Sequence, residues 1–138
     1  MQMNKTRTTH QVGNKGHNSR QELGKWGEEL AATFLLSKGF AILSKNYRTP
    51  DGEIDLIAKK GDELIFVEVK TRRNTIHSYP EEAINDEKFD HLENTAGWYL
   101  LQHPEYEQNW RLDVVTVIGT PDSSEPRIDW FENVTADY

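Results

Sequence analysis

The chain has 138 residues, the length of one domain, and is 36% hydrophobic and 10% aromatic with 4 Trp, too apolar for a wholly disordered chain and sufficient for a core without staples. Cysteine is absent, which excludes disulfides, thiolate metal sites and a cysteine nucleophile; with no secretory signal read, the cytosol is the expected compartment. The net charge of −7 argues against holding nucleic acid by bulk charge alone, and no run approaches the ~18 apolar residues of a membrane helix, so no membrane span is expected.

The charge is uneven. Residues 1–20 read as a flexible basic arm, polar and aperiodic, with only Met1, Met3 and Val12 aliphatic. Lys5, Arg7, Lys15 and Arg20 stand in residues 1–21 without an acid, so the rest of the chain, at 12 Lys+Arg against 23 Asp+Glu, is −11. Such a segment is either a disordered terminus or an arm that touches phosphates. It lacks the amphipathic Leu/Phe content of a transit peptide. Residues 21–138 are expected to form a single domain.

Leu23, Trp26, Leu30 and Phe34 recur at helical spacing and predict a first helix over about Gln21–Lys38, stopped by Gly39. Gly24, Gly27, Ala31 and Ala32 keep part of it narrow, which suggests close packing on a sheet. A strand is expected over Phe40–Arg48, then a turn at Thr49-Pro50-Asp51-Gly52. Two further strands, Glu53–Lys60 and Glu63–Thr71, flank Gly61-Asp62, a two-residue hairpin signature. Arg72–Tyr79 reads as a loop. Pro80 opens a second helical region that runs to about Gln102, with Phe89, Leu92, Ala96, Tyr99 and Leu100 as its apolar stripe and Pro104 as its end. Trp110–Ile118 is a Val-rich strand, Gly119–Pro126 a loop, and Ile128–Phe131 a short edge strand. The order is α-β-β-β-α-β with a terminal β, and no internal repeat is visible.

The hairpin carries the chemical information. With Gly61-Asp62 as its loop, Lys60 pairs with Glu63, and counting back sets Asp55 opposite Glu68. Residues so paired point to one face with Cβ atoms ~4.5–5.5 Å apart, and Lys70 shares that face because strand side chains repeat every second residue. Two opposed carboxylates repel, so the arrangement calls for a cation. Lys70 supplies one; a hard divalent metal is the other candidate. Glu68 also interrupts the apolar run Leu64–Val69, where a charge is costly unless paired or bound to metal. Two readings stay open on these residues: a solvated sheet face with a cross-strand lysine–carboxylate pair, or a metal site. The five histidines (His10, His17, His77, His91, His103) are scattered and do not suggest a zinc site.

Asp55…Glu68-Val69-Lys70 resembles the PD-(D/E)XK signature of restriction-endonuclease-like nucleases. The resemblance is closer to the bacterial YraN family, an uncharacterised group assigned to that superfamily. The matching segments are GKWGEELAATFLLSKGF (24–40), NYRTPDGEIDLIA (46–58), IFVEVKTR (65–72) and RLDVVTV (111–117). The resemblance implies an α/β restriction-endonuclease-like core, a mixed central sheet flanked by helices. It implies Asp55 and Glu68 as metal-binding carboxylates, the backbone carbonyl of Val69 in the metal shell, and Lys70 as the group that positions or polarises the attacking water. Mg²⁺ or Mn²⁺ is the implied cofactor. Glu28 on the first helix matches an acid that junction-resolving relatives use beside the metal; otherwise it is an ordinary exposed helix acid, as Glu29 is expected to be.

Arg72 and Arg73, directly after the site, and Arg48 in the turn are candidate phosphate contacts or solvated loop charges. Asp113 reads as a structural ion-pair partner of Arg111 or Lys70. Lys88 on the second helix is a further candidate phosphate contact; relatives carry several Lys/Arg after the matching lysine, whereas this chain has Phe89, Asp90, His91 and Glu93, with Asp86 and Glu87 before, which removes the phosphate-binding surface expected there. The expected function is a metal-dependent endonuclease acting on DNA, with branched or flapped, single-strand-containing intermediates as the inferred substrates. The rivals are a non-catalytic nucleic-acid-binding module and a protein-interaction domain on the same fold. A homodimer is left open.

Overall fold

A computed structural model describes residues 3–74 and 85–134, with side chains from Arg20 onward. The elements in chain order are helix α1 (Met3–Ser37), strands β1 (Ala41–Thr49), β2 (Gly52–Lys60) and β3 (Glu63–Arg72), helix α2 (Asp86–Gln102), a single 3₁₀ turn (Pro104–Tyr106), and strands β4 (Trp110–Ile118) and β5 (Arg127–Phe131). The expected α-β-β-β-α-β order with a terminal strand is present.

The five strands form one sheet in the order β1-β2-β3-β4-β5. All neighbours are antiparallel except β3 and β4, which run parallel. A hairpin cannot join parallel neighbours, so the chain crosses over between them, and α2 is that crossover. This mixed sheet with a helix on each face is compatible with a restriction-endonuclease-like core.

The hairpin register is as expected: Lys60 pairs with Glu63 across Gly61-Asp62. Gly61 takes φ +62°, the left-handed conformation that such a tight turn requires and that glycine adopts without a Cβ penalty.

Two hydrophobic layers sit on opposite sheet faces. On one, Ala31, Ala32 and Leu35 of α1 bury against Leu56, Ala58, Ile65, Val67, Val115 and Val117. On the other, Leu92, Ala96 and Tyr99 of α2 cover Ile57, Leu64, Phe66, Leu112 and Val114. Both faces are covered, which is why β2, β3 and β4 read as near-continuous apolar runs rather than alternating ones.

One helix boundary differs from expectation. Helix α1 begins at Met3, not near Gln21; its first half carries no apolar stripe, so no periodicity could mark it. The side chains of the arm cations Lys5, Arg7 and Lys15 lie outside those described. The buried line of α1 is Gly27-Ala31-Leu35, while Trp26, Leu30 and Phe34 flank it, half-buried. Small residues approach the sheet most closely, and the larger ones splay to either side. Helix α2 is described from Asp86, with Asn85 as its N-cap accepting from Lys88 N–H at 2.8 Å. Residues 75–84, including the expected start at Pro80, lie outside the described residues, as do 135–138.

Gly27 marks where α1 meets β3. A Cβ there would collide with the Thr71 side chain, whose own Cβ would be 2.9 Å away. Gly27→Ala should therefore destabilise the fold by ~1–3 kcal/mol through overpacking, read by chemical denaturation. Unchanged stability would mean the helix rides farther from the sheet than the structure has it. At Gly24, by contrast, a Cβ meets nothing within 4 Å, so only one of the two glycines is a close-approach residue.

Candidate metal and phosphate site

The site lies where β2 and β3 part. Their regular pairing runs from Lys60↔Glu63 to Leu56↔Val67 and stops one step short of Asp55 and Glu68. On the other side of β2, Lys45 pairs with Leu56 and Tyr47 with Ile54, passing over Asn46 and Asp55. Ile54 and Leu56 should share a face but pack into opposite layers, so the pleat is interrupted at Asp55. Asn46, opposite the interruption, has φ +55°, a left-handed conformation that asparagine tolerates better than most residues. Such interruptions re-aim a side chain. Here the Asp55 carboxylate replaces the missing backbone partner: Oδ2 accepts from Val69 N–H at 2.8 Å. The carbonyl of a strand residue points to the same edge as its N–H, so the Val69 carbonyl faces the same gap.

Asp55 and Glu68 are both buried, at 8% and 7% exposure. Burial first, then the Glu68 charge, push the Asp55 carboxyl up from 3.8 to about 7, against the lowering effect of the Val69 N–H. Glu28 and Glu53 add to the same push. Lys88 Nζ lies 2.6 Å from Glu68 Oε2. Lys70 and Lys88 act on each other, and their amines move in opposite directions. Burial and the Lys88 charge hold Lys70 below the usual lysine range. Burial is the largest single influence on Lys88 and opposes its charge, but the bond to Glu68, the Glu68 and Asp55 charges and the Lys70 amine together raise it.

Asp55, Glu68 and Lys88 open onto a cleft of ≈ 490 Å³ whose lining also includes Glu53, Glu87 and His91. Next to Lys70 in the parallel register stands Thr116. Its Oγ1 is buried with no hydrogen-bond partner among the described residues, an acceptor and donor free beside the lysine.

The structure brings Asp55 and Lys70 each close to Glu68, but not through the direct Asp55–Glu68 cross-strand pairing that the hairpin count gave, because the ladder ends at Leu56↔Val67 and Asp55 turns to the Val69 N–H instead. Glu28 comes near from α1, but its carboxylate accepts from the Asn46 side chain, and burial raises its pKa. Lys88, a candidate phosphate contact, has its ammonium on Glu68. Arg48 pairs with Glu53 at 3.3 Å in solvent, while Arg72 and Arg73 are exposed at the end of β3. Asp113 pairs with Arg111, its Oδ1 2.9 Å from Nε, one of the two partners the sequence offered. The sequence reading missed Asn46, Glu53 and His91 as neighbours of the site. Only the fold brings their segments together; a helix-period count from Leu92 could have put His91 at the edge of the buried face.

Among the described residues, no three His, Cys, Asp or Glu side chains form a ready metal cage. The donor set is two carboxylates with a backbone carbonyl. That suits Mg²⁺ or Mn²⁺, which prefer oxygen ligands; Mg²⁺ in particular keeps several waters beside one or two carboxylates.

The raised Asp55 carboxyl has a measurable consequence. The folded protein binds a proton at Asp55 that the unfolded chain releases near pH 3.8. Between there and about pH 7 the folded state holds more protons, so Asp55 makes stability fall as pH rises through that window. In metal-free buffer, Asp55→Asn should flatten this part of the melting-temperature profile. A profile identical to that of the wild type would remove Asp55 as its source.

Comparison with known proteins places the chain. Residues 27–117 match the model of a family described as "Uncharacterised protein family UPF0102". A UPF0102 protein of Syntrophomonas wolfei is 46% identical over 98 residues, covering 71% of this chain and 85% of the relative. One from Syntrophotalea carbinolica is 43% identical over 106 residues, covering 77% and 86% respectively. One from Renibacterium salmoninarum is 44% identical over 108 residues, covering 78% and 91%. Asp55, Glu68, Lys70 and Lys88 all fall inside the matched span, and the chain belongs to the UPF0102 family, the YraN-like group.

Proposed function

We propose that this protein is a metal-dependent endonuclease that hydrolyses phosphodiester bonds in DNA, acting in the cytosol on branched or single-strand-containing intermediates. The observation that carries the reading is the buried Asp55–Glu68 pair, set at an interruption of the sheet, with Lys70 beside it and a cleft in front. Burying two carboxylates together is costly, and a fold that keeps them gains most from a divalent cation between them.

Asp55, Glu68 and the Val69 carbonyl would hold Mg²⁺ or Mn²⁺. When bound, such an ion lowers the pKa of water and neutralises charge developing on the phosphate. The remaining work belongs to the chain. The Val69 N–H fixes the Asp55 carboxylate by a 2.8 Å hydrogen bond, so one ligand is oriented before anything binds. Lys70 Nζ, beside Glu68, orients the nucleophilic water, and in its charged form it opposes charge on the phosphate oxygens. Arg72 and Arg73 continue β3 outward as contacts for flanking phosphates.

The test is incubation of the full chain with duplex, flap, junction and single-stranded DNA, and the RNA counterparts, with Mg²⁺ or Mn²⁺. Metal-dependent cleavage of a branched DNA is expected. No cleavage of any substrate at stoichiometric protein would sink the reading. Lys70→Ala should lower cleavage by ~10²-fold or more, the usual scale for losing a preorganised charge-stabilising group, while keeping Mn²⁺-induced thermal stabilisation. Wild-type cleavage by Lys70→Ala would remove it from the mechanism. A second reading, a non-catalytic nucleic-acid-binding module, is favoured by one contact: Lys88 already neutralises Glu68.

A further inference from the structure

The cation on the paired carboxylates belongs to the protein itself. Lys88 Nζ stands 2.6 Å from Glu68 Oε2, a short charge-assisted contact. Its backbone is pinned in the first turn of α2, where its N–H donates to Asn85 Oδ1 at 2.8 Å. Its side chain is not enclosed: it is 35% exposed and lines the cleft together with Asp55 and Glu68. A long, unbranched ammonium on a fixed backbone can leave one partner for another without moving the helix. Lys88 is also the only Lys or Arg in α2, whose first turns otherwise carry Asp86, Glu87, Asp90 and Glu93. A phosphate entering from the α2 side has no other helix cation to meet.

We propose that Lys88 is an exchangeable counter-ion: its ammonium neutralises Glu68 in the metal-free protein, a divalent cation taking Glu68 displaces it, and the freed ammonium contacts a substrate phosphate in the cleft. This rests on the metal-dependent reading above and adds the residue that couples cation loading to substrate binding. One lysine then serves where a basic helix would supply several, and the like-charged pair is not left without a cation in either state.

The experiment is calorimetric titration of Mn²⁺ into the full chain, into Lys88→Gln and into Asp55→Asn. Lys88→Gln should bind Mn²⁺ about tenfold tighter, the order expected when one half-buried ion pair stops competing, and Asp55→Asn should lose binding. With Ca²⁺ in place of Mn²⁺, Lys88→Gln should bind a flap DNA several-fold more weakly than the wild type. In the wild type, Mg²⁺ should shift the Lys88 ammonium signal in ¹⁵N NMR. Equal or weaker Mn²⁺ binding by Lys88→Gln, with wild-type binding intact and lost in Asp55→Asn, overturns the exchange and leaves the metal site standing. Binding by Lys88→Gln alone also overturns it, making Lys88 a permanent occupant and favouring the non-catalytic reading. Undiminished DNA affinity in Lys88→Gln overturns the phosphate contact. No Mn²⁺ binding by any of the three proteins overturns the metal-dependent reading and the exchange with it.

Discussion

On the metal-dependent reading proposed above, Asp55→Asn is expected to abolish stabilisation of the folded chain by Mn²⁺ or Mg²⁺ and to lower cleavage by on the order of 10³-fold or more. A ligand that binds only the folded state raises its melting temperature by mass action, and an amide oxygen is a much poorer partner for a hard cation than a carboxylate. The substitution is nearly isosteric, and the amide oxygen can still accept from Val69 N–H, so the sheet interruption survives. In metal-free buffer above pH 7 the variant should melt at or above the wild-type temperature. Burial and the Glu68 charge make the Asp55 carboxylate unfavourable, enough to push its pKa to about 7, whereas the hydrogen bond it makes contributes only ~1 kcal/mol. The sign of this metal-free comparison separates a functional carboxylate from a structural one. A variant that melts several degrees lower without metal, yet gains the same increment from Mn²⁺, would show that Asp55 holds the fold and not the ion.

The second large effect is purely structural. Asp113→Ala should destabilise the protein by ~3–5 kcal/mol, the cost of removing one partner from a buried charge network. Asp113 is 1% exposed and fully used: Oδ1 accepts from Arg111 Nε at 2.9 Å and from Asn133 N–H at 2.9 Å. Oδ2 accepts from Trp130 Nε1 at 2.8 Å. The network ties β5 and the segment after it to β4, and Trp130 in turn packs edge-on against Phe34 and Phe40. Its loss therefore loosens the α1 face of the sheet. Arg111 keeps Glu63 and Glu132, at 2.7 and 2.9 Å, so the arginine is not stranded and the network loses its buried centre alone. Metal-induced stabilisation should persist, because Asp113 lies on the α1 face, away from Glu68 and Lys70. A loss below ~1 kcal/mol in urea denaturation would contradict the buried-network account.

The strands and the Gly61-Asp62 hairpin were legible because their signals are local: β-branched and aromatic runs bounded by turn residues. The convergence of Asp55, Glu68 and Lys70 followed from counting register across that hairpin. The same count could not show that pairing halts at Leu56↔Val67, since the interruption depends on Asn46 of a different strand adopting φ +55°. Nor could periodicity choose the buried line of α1. Its larger side chains form the more conspicuous stripe, while the Gly27-Ala31-Leu35 line is set by how closely Thr71 lets the helix approach.

The sequence by itself determined the α/β class, the order of elements, the hairpin that sets two acidic positions on neighbouring strands, and the absence of cysteine chemistry. These depend on interactions within a few residues or across one tight turn. The tertiary structure alone decided the state of the site. Lys88 is 20 residues from Glu68 along the chain, and only the α2 crossover brings its ammonium to the carboxylate. Burial between two covered sheet faces raises the Asp55 carboxyl and lowers the Lys70 amine. Desolvation and Coulomb energies act through space at a few ångströms, so they stay undefined until the chain has folded around those groups.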